Sequence, residues 1–138
     1  MGKVLHLFRA PERRAAMEEL ATVEVLENAG FAGCAHARPN GKRQVLVVDR
    51  ETLEKFALDP GMTRENITTQ GIDVNALAVG QRLRVGEVEL SVSLACEPCE
   101  QIEALRTGLL KAMMGQRGML CKVLRGGVVK VGDEIEVM

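Results

Sequence analysis

The sequence has no tryptophan and no tyrosine, and phenylalanine occurs only three times. That poverty removes the stacking platforms on which exposed bases are held, and it argues against binding of single-stranded nucleic acid. An excess of charge of one sign is lacking too. Against 18 Lys and Arg stand 19 Asp and Glu, so at a net charge of −1 no global field draws the chain to DNA or to an acidic membrane surface. No apolar run is long enough to cross a bilayer. The opening MGKVLHLFRAPERR sets a short apolar run before a cationic patch, the reverse of a secretory signal. His6 stands where N-myristoylation requires Ser or Thr, so no lipid anchor is expected. With four irregularly spaced cysteines and no export signal, the expected location is a reducing cytoplasm and the expected thiols are free.

What is present is aliphatic. The 46% hydrophobic fraction comes from Val, Leu, Ile, Ala and Met, and the length of 138 residues suits one domain, taken as residues 2–137. A chain of that size buries roughly two-thirds of its unfolded surface and needs no staples. Val4 to Phe8 reads as a first strand. The following segment is ambiguous: Ala15 to Leu20 favours helix by propensity, while Val23 and Val25 alternate with charged residues as in a strand. Asn40-Gly41 marks a turn. Gln44 to Val48 reads as a buried strand, followed by Asp49 as a helix N-cap and by Leu53, Phe56 and Ala57 on an apolar helix face that Pro60-Gly61 ends.

The second half reads as hairpins. Leu83 to Val85 and Val88 to Leu90 flank Gly86-Glu87, with glycine at the first central position that a type II′ turn requires. Leu120 to Leu124, Val128 to Val131 and Glu134 to Val137 are separated by Gly126-Gly127 and Gly132-Asp133, which suggests a three-stranded meander whose edges are best protected in a barrel. Ile102, Leu105, Leu109 and Met113 share one helical face, and Gly108 divides that segment into two short helices. The expected fold is mainly β with a few short α-helices, a compact β-barrel of hairpins.

The stretch Ser93-Leu-Ala-Cys-Glu-Pro-Cys-Glu-Gln-Ile102 carries the most chemistry. Pro98 favours entry into a first helical turn and leaves Cys99 near the helix N-terminus, where unpaired N–H groups stabilise a thiolate. Burial of both cysteines as small hydrophobic residues is the plain alternative. A CxxC zinc site is another, with Cys34, His36, His6 and Cys121 as further candidate ligands, although no second regular spacing accompanies the first. A thioredoxin-like dithiol is disfavoured, because that motif belongs to a βαβ setting and this chain reads as hairpins.

Several separated motifs fall in one order: Pro60-Gly-Met-Thr-Arg-Glu-Asn-Ile67, Gly71-Ile-Asp73, Leu77-Ala-Val-Gly80 through Gly86, Cys96-Glu-Pro-Cys99, Gly115-Gln-Arg-Gly118, and Val123 through Asp133. In this the chain resembles the MOSC domain, the family named for the C-terminal domain of molybdenum-cofactor sulfurases, as a stand-alone single-domain member. The resemblance implies a β-barrel-rich fold and a key cysteine matched by Cys99. It also implies a role in carrying sulfane sulfur as a cysteine persulfide, or in binding molybdenum cofactor (molybdopterin) with Cys99 as a soft metal ligand. For a pterin and its phosphate the candidate donors are Arg64, Asn66, Arg117 and Gly118. The bland readings are a cross-strand salt bridge for Arg64 and a solvated turn for Arg117.

Two positions depart from the family pattern. Cys34 replaces an acid in Gly33-Cys-Ala-His36, and Cys96-Glu97 stand where basic residues are common, so the approach to Cys99 is expected to be acidic. Cys96 is then a candidate to resolve a Cys99 persulfide into a disulfide. No lysine motif for pyridoxal phosphate is present and none is expected to be bound, so a separate cysteine desulfurase would supply sulfur, with a molybdoenzyme or its cofactor as acceptor. Neither nucleic acid nor membrane is an expected partner. A non-catalytic module holding an anionic cofactor or a molybdoenzyme, and a CxxC metal protein, remain the alternatives.

Overall fold

The alternation of Leu83-Arg-Val85 and Val88-Glu-Leu90 sends Leu83, Val85, Val88 and Leu90 inward and Arg82, Arg84 and Glu89 outward, the period-two pattern of a half-buried sheet. A computed structural model describes residues 2–138. In chain order its elements begin with β1 (Gly2–Arg9), β2 (Glu18–Leu20), β3 (Thr22–Leu26), β4 (Gly30–Phe31), β5 (Val45–Asp49), α1 (Arg50–Lys55) and β6 (Ile67–Gln70). They continue with β7 (Arg82–Val85), β8 (Val88–Ala95), α2 (Glu100–Leu105), α3 (Leu109–Ala112), β9 (Met119–Arg125), β10 (Gly127–Lys130) and β11 (Glu134–Val137).

Seven strands close on themselves in the order β1-β11-β7-β8-β9-β5-β6, and β6 returns to β1. The closing ladder pairs Gly2 with Ile135 and Lys3 with Glu134, so the barrel proper keeps no free edge. The interior is aliphatic, with Val4, Leu7, Val47, Ile67, Leu83, Leu90, Val123 and Ile135 all nearly inaccessible. A second cluster forms outside the barrel wall, where Leu46, Val48 and Leu120 meet Leu53 of α1, Ile102 of α2 and Leu109 and Met113 of α3 or its end. β5 is therefore buried on both faces, which is why its sequence is a continuous apolar run rather than an alternating one.

Three sequence expectations need correction. Ala15 to Leu20 forms no helix. Glu18–Leu20 instead pairs antiparallel with β1, and the Arg9–Glu18 ion pair at 2.9 Å and the His6–Glu19 hydrogen bond at 2.8 Å lie across that ladder. Sheet pairing overrides helix propensity here. The terminal meander is absent as well: β9 pairs with β8 and β5, β10 pairs with β3 in a separate three-stranded sheet, and β11 returns to β7 and β1. Gly126-Gly127 is thus a crossing point between sheets. A Cβ on Gly126 would lie 2.6 Å from the Val25 carbonyl oxygen, and Gly127 sits at φ +152°. Finally, β5 and β6 run parallel with α1 between them, a small βαβ unit within a barrel otherwise paired antiparallel.

The Gly86-Glu87 hairpin and the break at Gly108 form as expected. Gly86 has φ +57° and Glu87 does not share it, which fits a type II′ turn. Gly108, at φ +87°, separates α2 from α3, and the Glu103 carboxylate spans the break by accepting the N–H groups of Gly108 and Leu110 at 2.8 and 3.0 Å. No helix among the described residues is long and apolar enough to cross a membrane.

Candidate functional site

The Arg64-Glu-Asn-Ile67 segment organises one wall of a cavity. Glu65 turns inward and is fully buried, where its carboxylate accepts from Thr63 Oγ1 at 2.7 Å, Gly61 N–H at 2.9 Å and Thr68 Oγ1 at 2.7 Å. Asn66 is also buried. Its Oδ1 accepts the Leu46 N–H at 2.9 Å, and its Nδ2 donates to the Phe8 carbonyl at 3.2 Å and reaches Cys34 Sγ at 3.5 Å. With both flanking residues pulled inward, Arg64 takes a left-handed backbone, φ +59°, and donates from Nη1 to the Ala15 carbonyl at 2.7 Å. An L-residue held there implies a conformation enforced by its surroundings, at a cost of about 1–3 kcal/mol.

The Gly115-Gln-Arg-Gly118 segment supplies a second wall. Arg117 is only 5% exposed, far from the solvated turn residue of the bland reading, and its Nη2 donates to the Thr63 carbonyl at 2.6 Å. Gly118 serves packing rather than ligand approach. A Cβ there would lie 2.6 Å from the Val47 carbonyl oxygen, its N–H is donated to Asn75 Oδ1 at 3.0 Å, and its carbonyl accepts the Cys96 N–H at 2.9 Å.

Between these walls is a cavity of about 390 Å³. Six arginines line it, Arg13, Arg14, Arg38, Arg43, Arg64 and Arg117, together with His36, Asn66 and Cys96, and no Asp or Glu does. Among the described residues none of the six forms a salt bridge, so the cross-strand ion pair expected as an alternative for Arg64 does not form. Arg64 Nη2 and Arg117 Nε and Nη1 are buried with no hydrogen-bond partner. Guanidinium N–H groups left without a protein partner beside a cavity suit an oxyanion, which accepts from them through charge-assisted hydrogen bonds. A separate cavity of about 690 Å³ beside α1 has a different character, with Asp49, Glu51 and Asp73 as well as Lys55 in its lining.

The four cysteines are all free, and they occupy four different environments. Cys96 follows β8 and lines the arginine cavity. Burial pushes its thiol up, and the charges of Arg117 and Arg43 oppose that shift. Cys99 is the exposed N-cap of α2 and is not among the lining residues. That helix has six residues and carries Glu100 in its first turn, so a carboxylate already stands near the positive end of its dipole, while the Glu103 carboxylate is turned to the break at Gly108. Cys34 lies behind Asn66. Burial alone would raise its thiol, but hydrogen bonds with His36 and with the backbone at Ala10 and His36, and the imidazole's charge, outweigh burial and bring it down to about 7. Cys121 points into the barrel, where burial drives its thiol up to about 12.

The structure therefore gathers four of the expected site residues, Arg64, Asn66, Arg117 and Cys96, around one cavity, with the donors of Asn66 already committed to the protein. Cys99 stands outside, and Gly118 acts from behind. The acidic approach was expected at Cys99, which stands outside the cavity between the exposed Glu97 and Glu100, whereas a ligand entering the cavity meets Arg43 and Arg117. Arg13, Arg14, Arg38 and Arg43 were missed as site residues; for Arg38 and Arg43 the available signal was the lack of any acid in Cys34 through Val48, and for Arg13 and Arg14 it was the cationic patch that follows the first apolar run. Among the described residues no three His, Cys, Asp or Glu side chains converge to hold a metal ion, so the zinc reading of the cysteine motif finds no site.

Comparison with known proteins places the chain in a family. The model of the MOSC domain matches residues 35–136. A curated relative from Bacillus subtilis (strain 168), YuaD, named as a candidate metal-sulfur cluster biosynthesis protein, is 30% identical over a match covering 70% of this chain. The match spans 60% of that relative's length. The crystal structure of YuaD superposes with a TM-score of 0.83 at 23% identity, covering 99% of this chain and 96% of that one. YiiM from Escherichia coli gives a TM-score of 0.78 at 19% identity, covering all of this chain and 70% of the other. The likeness to these solved structures is one of fold.

Proposed function

This chain belongs to the MOSC domain family, and from that premise we propose that it handles sulfur for metal-sulfur cofactor assembly, holding an anionic ligand in the arginine cavity and carrying sulfane sulfur on a cysteine at its edge. The observation that carries this reading is the presence in one lining of the Cys96 thiol and of Arg64 and Arg117, whose Nη2 and whose Nε and Nη1, respectively, have no protein partner. The name of the Bacillus relative points the same way. In the step itself a cysteine thiolate attacks the sulfane sulfur of a donor, the donor's remainder leaves with the bonding electron pair, and a persulfide is formed. An acceptor nucleophile then attacks the outer sulfur and the cysteine leaves as thiolate. In this reading Cys96 meets the bound donor, and Cys99, exposed three residues further on, meets a protein partner such as a cysteine desulfurase or a molybdoenzyme.

Molybdenum-cofactor binding is the second reading, favoured by cavity size and by those same unpartnered N–H groups. A volume of about 390 Å³ falls within the range of small-molecule and cofactor sites. The donor set fits the group: Arg64 and Arg117 would hold the pterin phosphate, and the Cys96 sulfur is a soft donor suited to molybdenum. When bound, the cofactor supplies a redox-active metal centre. One set of measurements separates the two readings: molybdenum content, sulfane-sulfur content and an ultraviolet–visible spectrum of protein purified without reductant. The sulfur reading expects labile sulfur without stoichiometric metal. Protein lacking both, and failing to acquire sulfur from any donor, overturns it.

A further inference from the structure

The donor for this cavity can be narrowed, on the premise that the protein is a sulfur carrier. A neutral polysulfide would leave the buried N–H groups of Arg64 Nη2 and Arg117 Nε and Nη1 unpaired, and a carboxylate offers only two oxygens to the arginine lining. A tetrahedral oxyanion offers three oxygens and needs no acid in the wall, and none is present there. The sulfur to be transferred must then lie on the side of that oxyanion facing Cys96. Cys96, Arg43 and Arg117 line the same cavity, so an anion held there shares the compartment that the Cys96 sulfur borders.

We propose that the cavity takes sulfane sulfur directly from a small dianion that carries it on a sulfonate group, with thiosulfate the simplest member, and that Cys96 is the attacking residue. The Cys96 thiol loses its proton to solvent and its sulfur forms a bond to the outer sulfur of thiosulfate. The S–S bond of thiosulfate breaks, and its electron pair leaves on sulfite. Thiolate and thiosulfate become persulfide and sulfite, three negative charges stand on each side, and no external oxidant or reductant is consumed. The cavity exceeds a single tetrahedral anion in volume, so an acceptor can approach while Arg64 and Arg117 still hold the leaving sulfite.

The test uses the full chain, thiosulfate as probe, and an alkyl hydropersulfide without a sulfonate group as comparison. Sulfite release and peptide mass mapping are the readouts. Expected are one sulfite per chain, one added sulfur on the Cys96 peptide, and competition by sulfate. Arg117→Lys, which loses the bidentate fork, should raise the half-saturating thiosulfate concentration on the order of 10–100-fold. Arg43→Gln, at an exposed position that does not threaten folding, should raise it several-fold in a salt-sensitive manner. The loading rate should keep climbing through pH 9, because burial raises the Cys96 thiol. A plateau just above pH 7 would assign the attack to Cys34 and overturn the assignment to Cys96, as would added sulfur found on Cys34 or Cys99 with Cys96 free. Loading by the hydropersulfide but not by thiosulfate refutes the donor class while leaving the carrier reading standing. Loading by neither removes both.

Discussion

Arg117→Met should make the protein more stable and less able to bind anions. Arg117 is 5% exposed, its Nε and Nη1 have no partner, and its one hydrogen bond goes from Nη2 to the Thr63 carbonyl. Each buried nitrogen left without a partner costs about 1–3 kcal/mol, so Nε and Nη1 together cost roughly 2–6 kcal/mol. Against this, methionine fills similar space with no polar atoms but leaves the Thr63 carbonyl unpaired, at about 1–3 kcal/mol. Replacing buried charges with apolar side chains of similar volume is often neutral or stabilising by about 1–4 kcal/mol. A net gain of about 1–2 kcal/mol follows, an upward shift in Tm of roughly 3–10 °C for a chain of this size. Wild type should gain further from sulfate, by about 2.7 kcal/mol when the anion stands at a hundred times its Kd, and the variant should not. Thermal melts of both proteins in sulfate and in chloride of matched ionic strength give the comparison, with the general stabilising effect of sulfate cancelling between them. A variant destabilised by more than about 2 kcal/mol that keeps the full sulfate increment would refute the claim that Arg117 is held unpaired for a ligand.

The other expectations concern the frame around the cavity. Cys34 sits at about 7 in the folded chain against an ordinary 9.0, so its thiolate contributes stability that is complete above 9.0 and lost as pH falls through 7. Wild type should therefore gain on Cys34→Ser between about pH 7 and 9 by up to ~2 kcal/mol in denaturant melts, and parallel curves would count against the His36 interaction. Gly118→Ala places a methyl group against the Val47 carbonyl at φ +100° and should cost more than about 2 kcal/mol or prevent folding, read by soluble yield and melting. Ile102→Ala, at a 1% exposed position that ties α2 to the barrel wall, should cost about 2–5 kcal/mol and speed alkylation of Cys96. Unchanged stability would mean that α2 is held by something other than this contact.

How much of this was legible in advance depends on the range of the interaction. Gly86-Glu87 specifies its hairpin within four residues, and the apolar run of β5, the break at Gly108 and the position of Cys99 at a helix start are equally local. Glu18–Leu20 was not legible as a strand, because the ladder that makes it one is formed with β1. Nor was the departure of β10 from β9, since Gly126-Gly127 suits a turn and a crossing equally well and the partner, β3, lies about a hundred residues earlier. The site divides in the same way. Arg64, Asn66 and Arg117 stand in short motifs, while Arg13, Arg14, Arg38 and Arg43 sit in irregular loops that meet only once the barrel closes. The CxxC spacing placed both thiols near one another but carried no information on which faces the cavity. That depends on Cys96 leaving β8 beside Gly118 and on Cys99 capping an exposed helix.

Peptide-mapped sulfur loading of wild type, Cys96→Ser and Cys99→Ser, each treated with the same sulfane donor and each shown to be folded, decides whether Cys96 is the carrier. An added sulfur is expected on Cys96 in wild type and in Cys99→Ser, with loss of loading in Cys96→Ser. Undiminished loading in Cys96→Ser would contradict that assignment.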